Sequence, residues 1–109
     1  MGGRRAAPGH RRWGCARAAL DHLTQAAGRG LGSGGIRVVG VAPGLIDRER
    51  LERDWPEGVD RWKRASALGR PVTASEVAAT VSFLASPAAS GITGTTITVD
   101  AGWSAGPGW

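Results

Sequence analysis

The chain of 109 residues contains no tyrosine and only one cysteine. Without a tyrosine, no phenol is available for proton transfer. A single thiol, Cys15, cannot form an intrachain disulfide, and with His10 and His22 it offers too few ligands at no recognised metal spacing. No apolar run approaches the ~20 residues of a membrane span, and none follows the first arginines as in a secretory signal. We therefore expect a cytoplasmic protein with no metal site and no membrane contact.

Acidic residues are absent from the first twenty positions, which contain five arginines: Arg4, Arg5, Arg11, Arg12 and Arg17. The other basic residues equal the acidic ones in number, so the net charge of +5 belongs to this end of the chain. An arginine-rich, acid-free start is typical of an organelle transit peptide or a nucleic-acid contact. Glycine and proline interrupt any amphipathic helix there, however. We interpret residues 1–15 as a basic, disordered head and expect no nucleic-acid partner.

Periodic patterning begins at residue 16 and continues to residue 104, and residues 105–109 form a short tail without it. In residues 16–29, apolar side chains recur at three- and four-residue intervals, which predicts an amphipathic helix: Ala16, Leu20, Leu23 and Ala27. Residues rich in β-branched side chains predict two strands, at 36–42 and 95–99. About fifty residues with helical patterning separate the strands. This order predicts neighbouring parallel strands of a helix-covered sheet.

Helix boundaries between the two strands are indicated by capping residues and prolines. Asp47 is placed to cap a helix that begins near Arg48, and a second helix is predicted at 59–68. Thr73 and Glu76 have the spacing of a capping box, in which each side chain bonds to the other residue's backbone N–H. Pro87 is expected to end that third helix. Trp55 and Trp62 are interpreted as packing residues.

The motifs, read in order, resemble the C-terminal part of the short-chain dehydrogenases/reductases. They are Gly35-Ile36-Arg37-Val38, Val41-Ala42-Pro43-Gly44, Gly69-Arg70-Pro71, Glu76-Val77-Ala78, Phe83-Leu84-Ala85-Ser86, Ile92-Thr93-Gly94 and Val99-Asp100-Ala101-Gly102. The resemblance covers roughly residues 16–104. It implies an α/β fold, the C-terminal portion of a Rossmann-like, doubly wound parallel sheet with two strands and three to four helices. The family needs about twice this length, so the sheet is expected to be incomplete.

The resemblance implies hydride transfer between a nicotinamide cofactor and a carbonyl or alcohol. In the family, a tyrosine four residues before a lysine is the general acid/base. On this alignment Trp13 stands at the tyrosine position and Arg17 at the lysine position. Indole N–H is only a donor and does not ionise near neutral pH, so Trp13 cannot exchange a proton. We therefore assign no catalytic residue and expect the chain alone to be inactive.

Part of the contact with NAD or NADP is expected to remain. Arg17 keeps a cation that could bond to the cofactor ribose, although a guanidinium differs from an ammonium. After Pro43-Gly44, the resemblance implies that a main-chain group of Ile46 contacts the nicotinamide carboxamide. Arg48 replaces the family threonine at the second contact. The glycine-rich stretch 28–35 follows a helix and precedes a strand, the reverse of a phosphate-binding turn. We therefore expect weak binding through Arg17, Pro43, Gly44 and Ile46.

An incomplete sheet would leave an unpaired strand edge and apolar surface exposed. The resemblance implies that helix 16–29 and the last helix and strand also form subunit interfaces. We therefore expect poor stability as a monomer and association into homo- or hetero-oligomers through these elements. Two readings stay open, a member of the oxidoreductase family and a non-catalytic fragment that associates with a related full-length subunit.

Overall fold

A computed structural model describes residues 11–107, without the side chains of Arg11 and Trp13. The elements in chain order are α1 (Arg11–Leu31), β1 (Val39–Pro43), α2 (Leu51–Asp54), α3 (Pro56–Ala65), α4 (Ala74–Ala85) and β2 (Thr95–Val99), with short 3₁₀ turns at Gly32–Gly34, Pro87–Ala89 and Trp103–Ala105. Strands β1 and β2 form a parallel pair. The predicted α/β class is confirmed. No helix in the described part is long and apolar enough to cross a membrane.

The chain divides into two compact units, one containing 11–41 with 82–97 and the other 42–81 with 98–107. In the first unit, small and polar residues of α1 make the contacts with its neighbours. Thr96 Oγ1 donates to Asp21 Oδ1 at 2.8 Å. A Cβ on Gly28 would lie 2.5 Å from the backbone N and Cα of Gly94, so the two backbones touch where the chain enters β2.

The predicted apolar stripe of α1 faces outward instead. Leu20 is 55% exposed and Leu23 is 60% exposed. A helix turns about 100° per residue, which places the centre of the stripe about 120° around α1 from the side that carries Asp21 and Gly28. The contact with β2 therefore depends on close backbone approach, which leucine side chains would prevent.

The start of α1 differs from the prediction, because the helix begins at Arg11 and not near residue 16. Gly14 and the arginines around it interrupt the spacing of apolar residues in this first turn, so the sequence pattern did not predict a helix there. Residues 1–10 of the predicted disordered head lie outside the described residues. Residues 108 and 109 of the predicted tail also lie outside the described residues.

Arg37 holds the C-terminal end of α4 in the first unit. Its Nη2 donates to the carbonyl of Leu84 at 2.7 Å and its Nη1 to that of Ile92 at 3.2 Å. The last carbonyls of a helix have no partner within the helix, and a cation is favourable there. The helix ends at Ala85, before Pro87, as predicted.

In the second unit the predicted capping box is present. Glu76 N–H donates to Thr73 Oγ1 at 3.2 Å, and Thr73 N–H donates to Glu76 Oε2 at 2.8 Å. Two N–H groups without helical partners are satisfied by this exchange. The start of α4 at Ala74 is thereby confirmed.

The core of the second unit contains two tryptophans. Trp62 is 1% exposed and stacks on Trp103, with ring centroids 5.5 Å apart and planes within 3°. Trp62 Nε1 donates to the carbonyl of Arg70 at 3.1 Å, which satisfies its polar atom inside the core. The interpretation of Trp62 as a packing residue is confirmed.

Three predicted boundaries were wrong. Strand β1 begins at Val39 and not at residue 36. Asp47 does not cap α2, because the helix begins only at Leu51 and Arg50 occupies the capping position. The Asp47 N–H donates instead to the carbonyl of Val72. Helix α3 begins at Pro56, since proline is favourable in a first helical turn where its missing N–H has no partner to lose.

We predict opposite effects for alanine at two glycines of α1. Gly28→Ala should lower the free energy of unfolding by about 1–3 kcal/mol, because its Cβ would overlap the backbone of Gly94. Gly30→Ala should raise it by up to about 1 kcal/mol, because the space there is open and alanine favours a helix. Urea unfolding followed by circular dichroism measures both. Equal stability of the two variants would contradict the described contact.

Candidate functional site

The turn at the end of β1 accepts only glycine at its second position. Gly44 N–H donates to the carbonyl of Val99 at 2.9 Å. A Cβ on Gly44 would lie 2.7 Å from the ring of Trp62 and 2.7 Å from Asp100 Cβ. Such distances are too short for a side chain, so the Pro43-Gly44 backbone lies directly on the tryptophan core. The segment that follows therefore starts from a fixed position.

Ile46 forms a parallel bridge with Val72. Val72 N–H donates to the carbonyl of Leu45 at 2.9 Å, and Asp47 N–H donates to the carbonyl of Val72 at 2.7 Å. In extended backbone, successive residues present their N–H and C=O groups to opposite sides. The N–H and C=O of Ile46 therefore point away from Val72, and within residues 11–107 they make no hydrogen bond. They are available to bond a planar amide or a similar ligand group.

The guanidinium of Arg48 is bonded to neighbouring residues. Its Nη1 lies 2.9 Å from Asp54 Oδ2 and donates to the carbonyl of Glu49 at 3.2 Å. More than half of the Arg48 side chain is exposed, so this ion pair is a surface interaction. The guanidinium supplies a cation where the hydroxyl of a threonine was expected from the family pattern.

Asp100 supports the same end of the second unit. Its Oδ1 accepts from Gly102 N–H and its Oδ2 from Ser104 N–H, each at 2.9 Å. The residue is 5% exposed, so its carboxylate is buried and bonded to two backbone donors. Its role is structural, because it fixes the chain at the point where β2 ends, beside Gly44.

An open groove of about 660 Å³ lies in the second unit, between α4 and the end of β2. Its charged lining residues are Arg70, Glu76 and Asp100. Arg70 makes a bidentate pair with Glu76, at 2.7 and 3.0 Å, and Asp100 bonds to backbone. All three groups therefore make contacts that stabilise the fold at this groove.

The chain matches known proteins over nearly its whole length. The sequence model of a family described as enoyl-(acyl carrier protein) reductase matches residues 1–104. Meso-2,3-butanediol dehydrogenase of Serratia marcescens is 38% identical over 94 residues, 85% of this chain and 37% of that protein. A 3-oxoacyl-(acyl-carrier-protein) reductase of Pseudomonas aeruginosa is 39% identical over 95 residues, 86% of this chain and 38% of that protein.

Comparison with solved structures gives the same result as comparison with these sequences. The structure of 4-hydroxyisoleucine dehydrogenase complexed with NADH superposes with a TM-score of 0.86 at 27% identity, covering 96% of this chain and 44% of that one. A short-chain dehydrogenase/reductase family protein superposes with a TM-score of 0.79 at 31% identity, covering 95% and 43%. The chain belongs to the short-chain dehydrogenase/reductase family. It spans less than half the length of these relatives.

The family match extends to residue 1, beyond the region of resemblance that began near residue 16. The predicted site residues of this short-chain dehydrogenase/reductase chain lie in two different units. Pro43, Gly44 and Ile46 lie together in the second unit, whereas Arg17 lies exposed on α1 in the first. The helix α1 includes Trp13, but its side chain lies outside the described residues.

Sequence reasoning found Ile46 only through the family resemblance. The free direction of its main-chain groups depends on the bridge to Val72, and no residue pattern indicates that bridge. The support from Asp100 was also missed, although an aspartate directly after a strand and two residues before a glycine is a common turn signal.

We predict that Glu76 contributes stability that is lost in acid. The bonds from Arg70 and then from the Thr73 backbone lower the pKa of the Glu76 carboxyl from its usual 4.5 to about 2. The folded form therefore holds the carboxylate ionised where the unfolded chain is already taking up a proton, and stability falls as the pH drops from about 4.5 to 2. Because the group is exposed, we expect a modest effect.

The measurement is the melting temperature of the natural chain and of Glu76→Gln between pH 6 and pH 2. The natural chain should be more stable at pH 6, and the difference should shrink as the pH falls. Glu49→Gln is the matched control, because its side chain is 90% exposed and lies 3.7 Å from Arg50. A constant difference for Glu76→Gln across this range would contradict the assigned ion pair.

Proposed function

We propose that this chain is the part of an NAD(P)-dependent short-chain dehydrogenase/reductase that contacts the nicotinamide, and that it supplies no acid–base group itself. The observation that carries the proposal is the outward direction of the Ile46 N–H and C=O, beside a turn that Trp62 fixes. An amide of the cofactor could bond to both groups. The relative solved with NADH supports a nicotinamide cofactor for the family.

The chemistry available to the chain follows from its residues. A bound nicotinamide would supply or accept the hydride, and the reaction also needs a proton donor or acceptor near the substrate. Trp13 stands at the position that holds this group in the family and cannot perform the step. Arg17 keeps a positive charge that could bond a ribose hydroxyl. The chain therefore orients one edge of the cofactor and leaves proton transfer to groups that it does not contain.

A second candidate function is association with a related full-length subunit. Exposed apolar side chains on two helices favour it, namely Leu20 and Leu23 on α1 and Val81 and Phe83 on α4, each between 48% and 60% exposed. Apolar side chains of this size contribute most when a partner covers them. A cytoplasmic location fits both candidates.

We predict weak, saturable binding of NADH that depends on one N–H group. Ile46→Pro removes that N–H and leaves the Leu45 carbonyl and the Asp47 N–H free to bond Val72. Losing one hydrogen bond of about 0.5–1.5 kcal/mol should weaken binding roughly two- to tenfold. Saturation-transfer NMR with NADH measures the dissociation constant.

Ile46→Ala is the matched control, because it shortens the side chain and keeps the main-chain donor. It should bind NADH like the natural chain. Equal binding by Ile46→Pro and Ile46→Ala would contradict a contact through the Ile46 N–H. Circular dichroism of the proline variant, together with the NMR shifts of Val72, shows whether the bridge is intact.

We also predict that the purified chain reduces no ketone with NADH or NADPH. The physical reason is the indole at the tyrosine position, which removes a step worth about 10²- to 10⁴-fold in rate. Absorbance at the nicotinamide band measures turnover, first with the chain alone and then with a full-length relative added. Steady turnover by the chain alone would contradict the proposed lack of an acid–base group. Co-purification with the relative, without turnover by the chain, would favour the second candidate.

A further inference from the structure

Strand β1 has a hydrogen-bonding edge that no described residue covers. Among residues 11–107 the sheet has two strands, so β1 pairs with β2 along one side only. Gly94 N–H donates to the carbonyl of Val38 at 2.8 Å, and the Val38 N–H donates to Thr93 Oγ1 at 3.0 Å. Both main-chain groups of Val38, directly before β1, therefore point toward the segment that leads into β2.

The uncovered edge consists of the main-chain groups of two valines in the first unit. Successive residues of an extended strand direct their N–H and C=O groups to opposite sides. Because Val38 faces β2, Val39 and Val41 face away from it, and within the described residues their N–H and C=O groups have no partner. Pro43 follows on the same side and has no N–H, so it ends the edge.

No charged side chain of β1 protects this edge. All five residues of the strand are uncharged and half-buried. Strand edges of soluble proteins usually carry a lysine, a proline or a bulge that prevents pairing with another chain. In β1 only Pro43 has this effect, and it lies beyond the two valines. The edge at 39–41 is therefore able to pair with a further strand.

The sequence at this edge is complementary to a second copy of itself. Val39-Gly40-Val41 reads the same in both directions, so two copies can pair antiparallel about a two-fold axis at Gly40. Val39 of each copy then lies opposite Val41 of the other and exchanges both of its hydrogen bonds with it. Every N–H and C=O of the edge is thereby bonded. Valines that lie opposite each other also favour the pairing through their side chains.

The symmetry excludes a parallel pair of the same two edges. In a parallel ladder, each residue that bonds across the gap lies opposite a residue that faces away from it. Two identical edges related by a two-fold axis place equivalent residues opposite each other when the strands are parallel, so N–H would meet N–H. Antiparallel pairing has no such conflict, because Val39 meets Val41.

We propose that β1 of this chain pairs antiparallel with β1 of a second copy, with Gly40 on the two-fold axis, so that one sheet continues across both copies. This surface is distinct from α1, α4 and β2, the elements that the family resemblance implies as interfaces. The proposal goes beyond the nicotinamide contact and does not depend on it. So short a ladder buries less than the about 1,200 Å² of a standard stable interface, and the dimer therefore dissociates on dilution.

A contact across the two-fold axis tests the register directly. In the proposed dimer the Cα atoms of the two Gly40 residues lie about 4.5 Å apart, because they form a non-hydrogen-bonded antiparallel pair. NMR on an equimolar mixture of isotope-labelled and unlabelled chain should show an intermolecular nuclear Overhauser contact between their Hα atoms. A dimer without this contact would overturn the proposal. A strand from a different partner at this edge would give no contact between two copies of Gly40 and would overturn it as well.

Removal of one donor tests the hydrogen bonds of the edge. Val39→Pro removes an N–H that faces away from β2, and proline is tolerated at such an edge position. The change deletes a hydrogen bond to the Val41 carbonyl in both halves of the dimer, so the dimer dissociation constant should rise roughly tenfold or more. Val39→Thr is the matched control, because it keeps the N–H and a β-branched side chain, and it should dimerise like the natural chain.

Sedimentation velocity over a wide range of concentration measures the dissociation constant. A monomer at every concentration would contradict the proposal, and so would a dimer that Val39→Pro does not weaken. Circular dichroism shows whether the proline variant keeps its fold. If it does not, the Gly40 contact in the natural chain decides alone. Both measurements are made without NADH, so a failure here is distinct from a failure of the proposed nicotinamide contact.

Discussion

The contact between the Gly44 backbone and the ring of Trp62 is the constraint on which the second unit depends. The ring occupies the space where any other residue at position 44 would place a Cβ. Trp62 is itself fixed by stacking on Trp103 and by a hydrogen bond to the Arg70 carbonyl. The turn after β1, the bridge at Ile46 and the start of α4 therefore share one buried support.

Local signals predicted the elements that depend on local chemistry. The Thr73 and Glu76 capping box placed the start of α4, and the β-branched run placed β2 at residues 95–99. The apolar period of α1 correctly predicted a helix and did not predict which side packs, because the close approach of Gly28 to Gly94 decides that. Glycine–glycine contacts leave no hydrophobic pattern, so sequence reasoning alone does not find them.

The residues of the candidate site stay a prediction, and the geometry around them was not predicted from the sequence. The resemblance to short-chain dehydrogenases/reductases singled out Ile46, but the availability of its N–H and C=O follows from the pairing of Leu45 and Asp47 with Val72. That pairing joins residues about 26 positions apart. The helix that was predicted to begin near Arg48, with Asp47 as its cap, begins at Leu51 instead. A capping preference of roughly 0.5–2 kcal/mol is outweighed when the same segment gains two ladder bonds and a buried valine.

The two parts of the site respond differently to substitution. Contacts made by main chain, as proposed for Ile46, persist through changes of side chain provided that the backbone keeps its path, and Gly44 maintains that path here. Contacts made by side chains depend on the residue, and on the alignment predicted from the family resemblance Trp13, Arg17 and Arg48 stand at the family's tyrosine, lysine and threonine positions. Under the proposed function, the chain would lack the proton-transfer group and retain the backbone that holds a nicotinamide. Nicotinamide binding and proton transfer would then be separate properties of this chain.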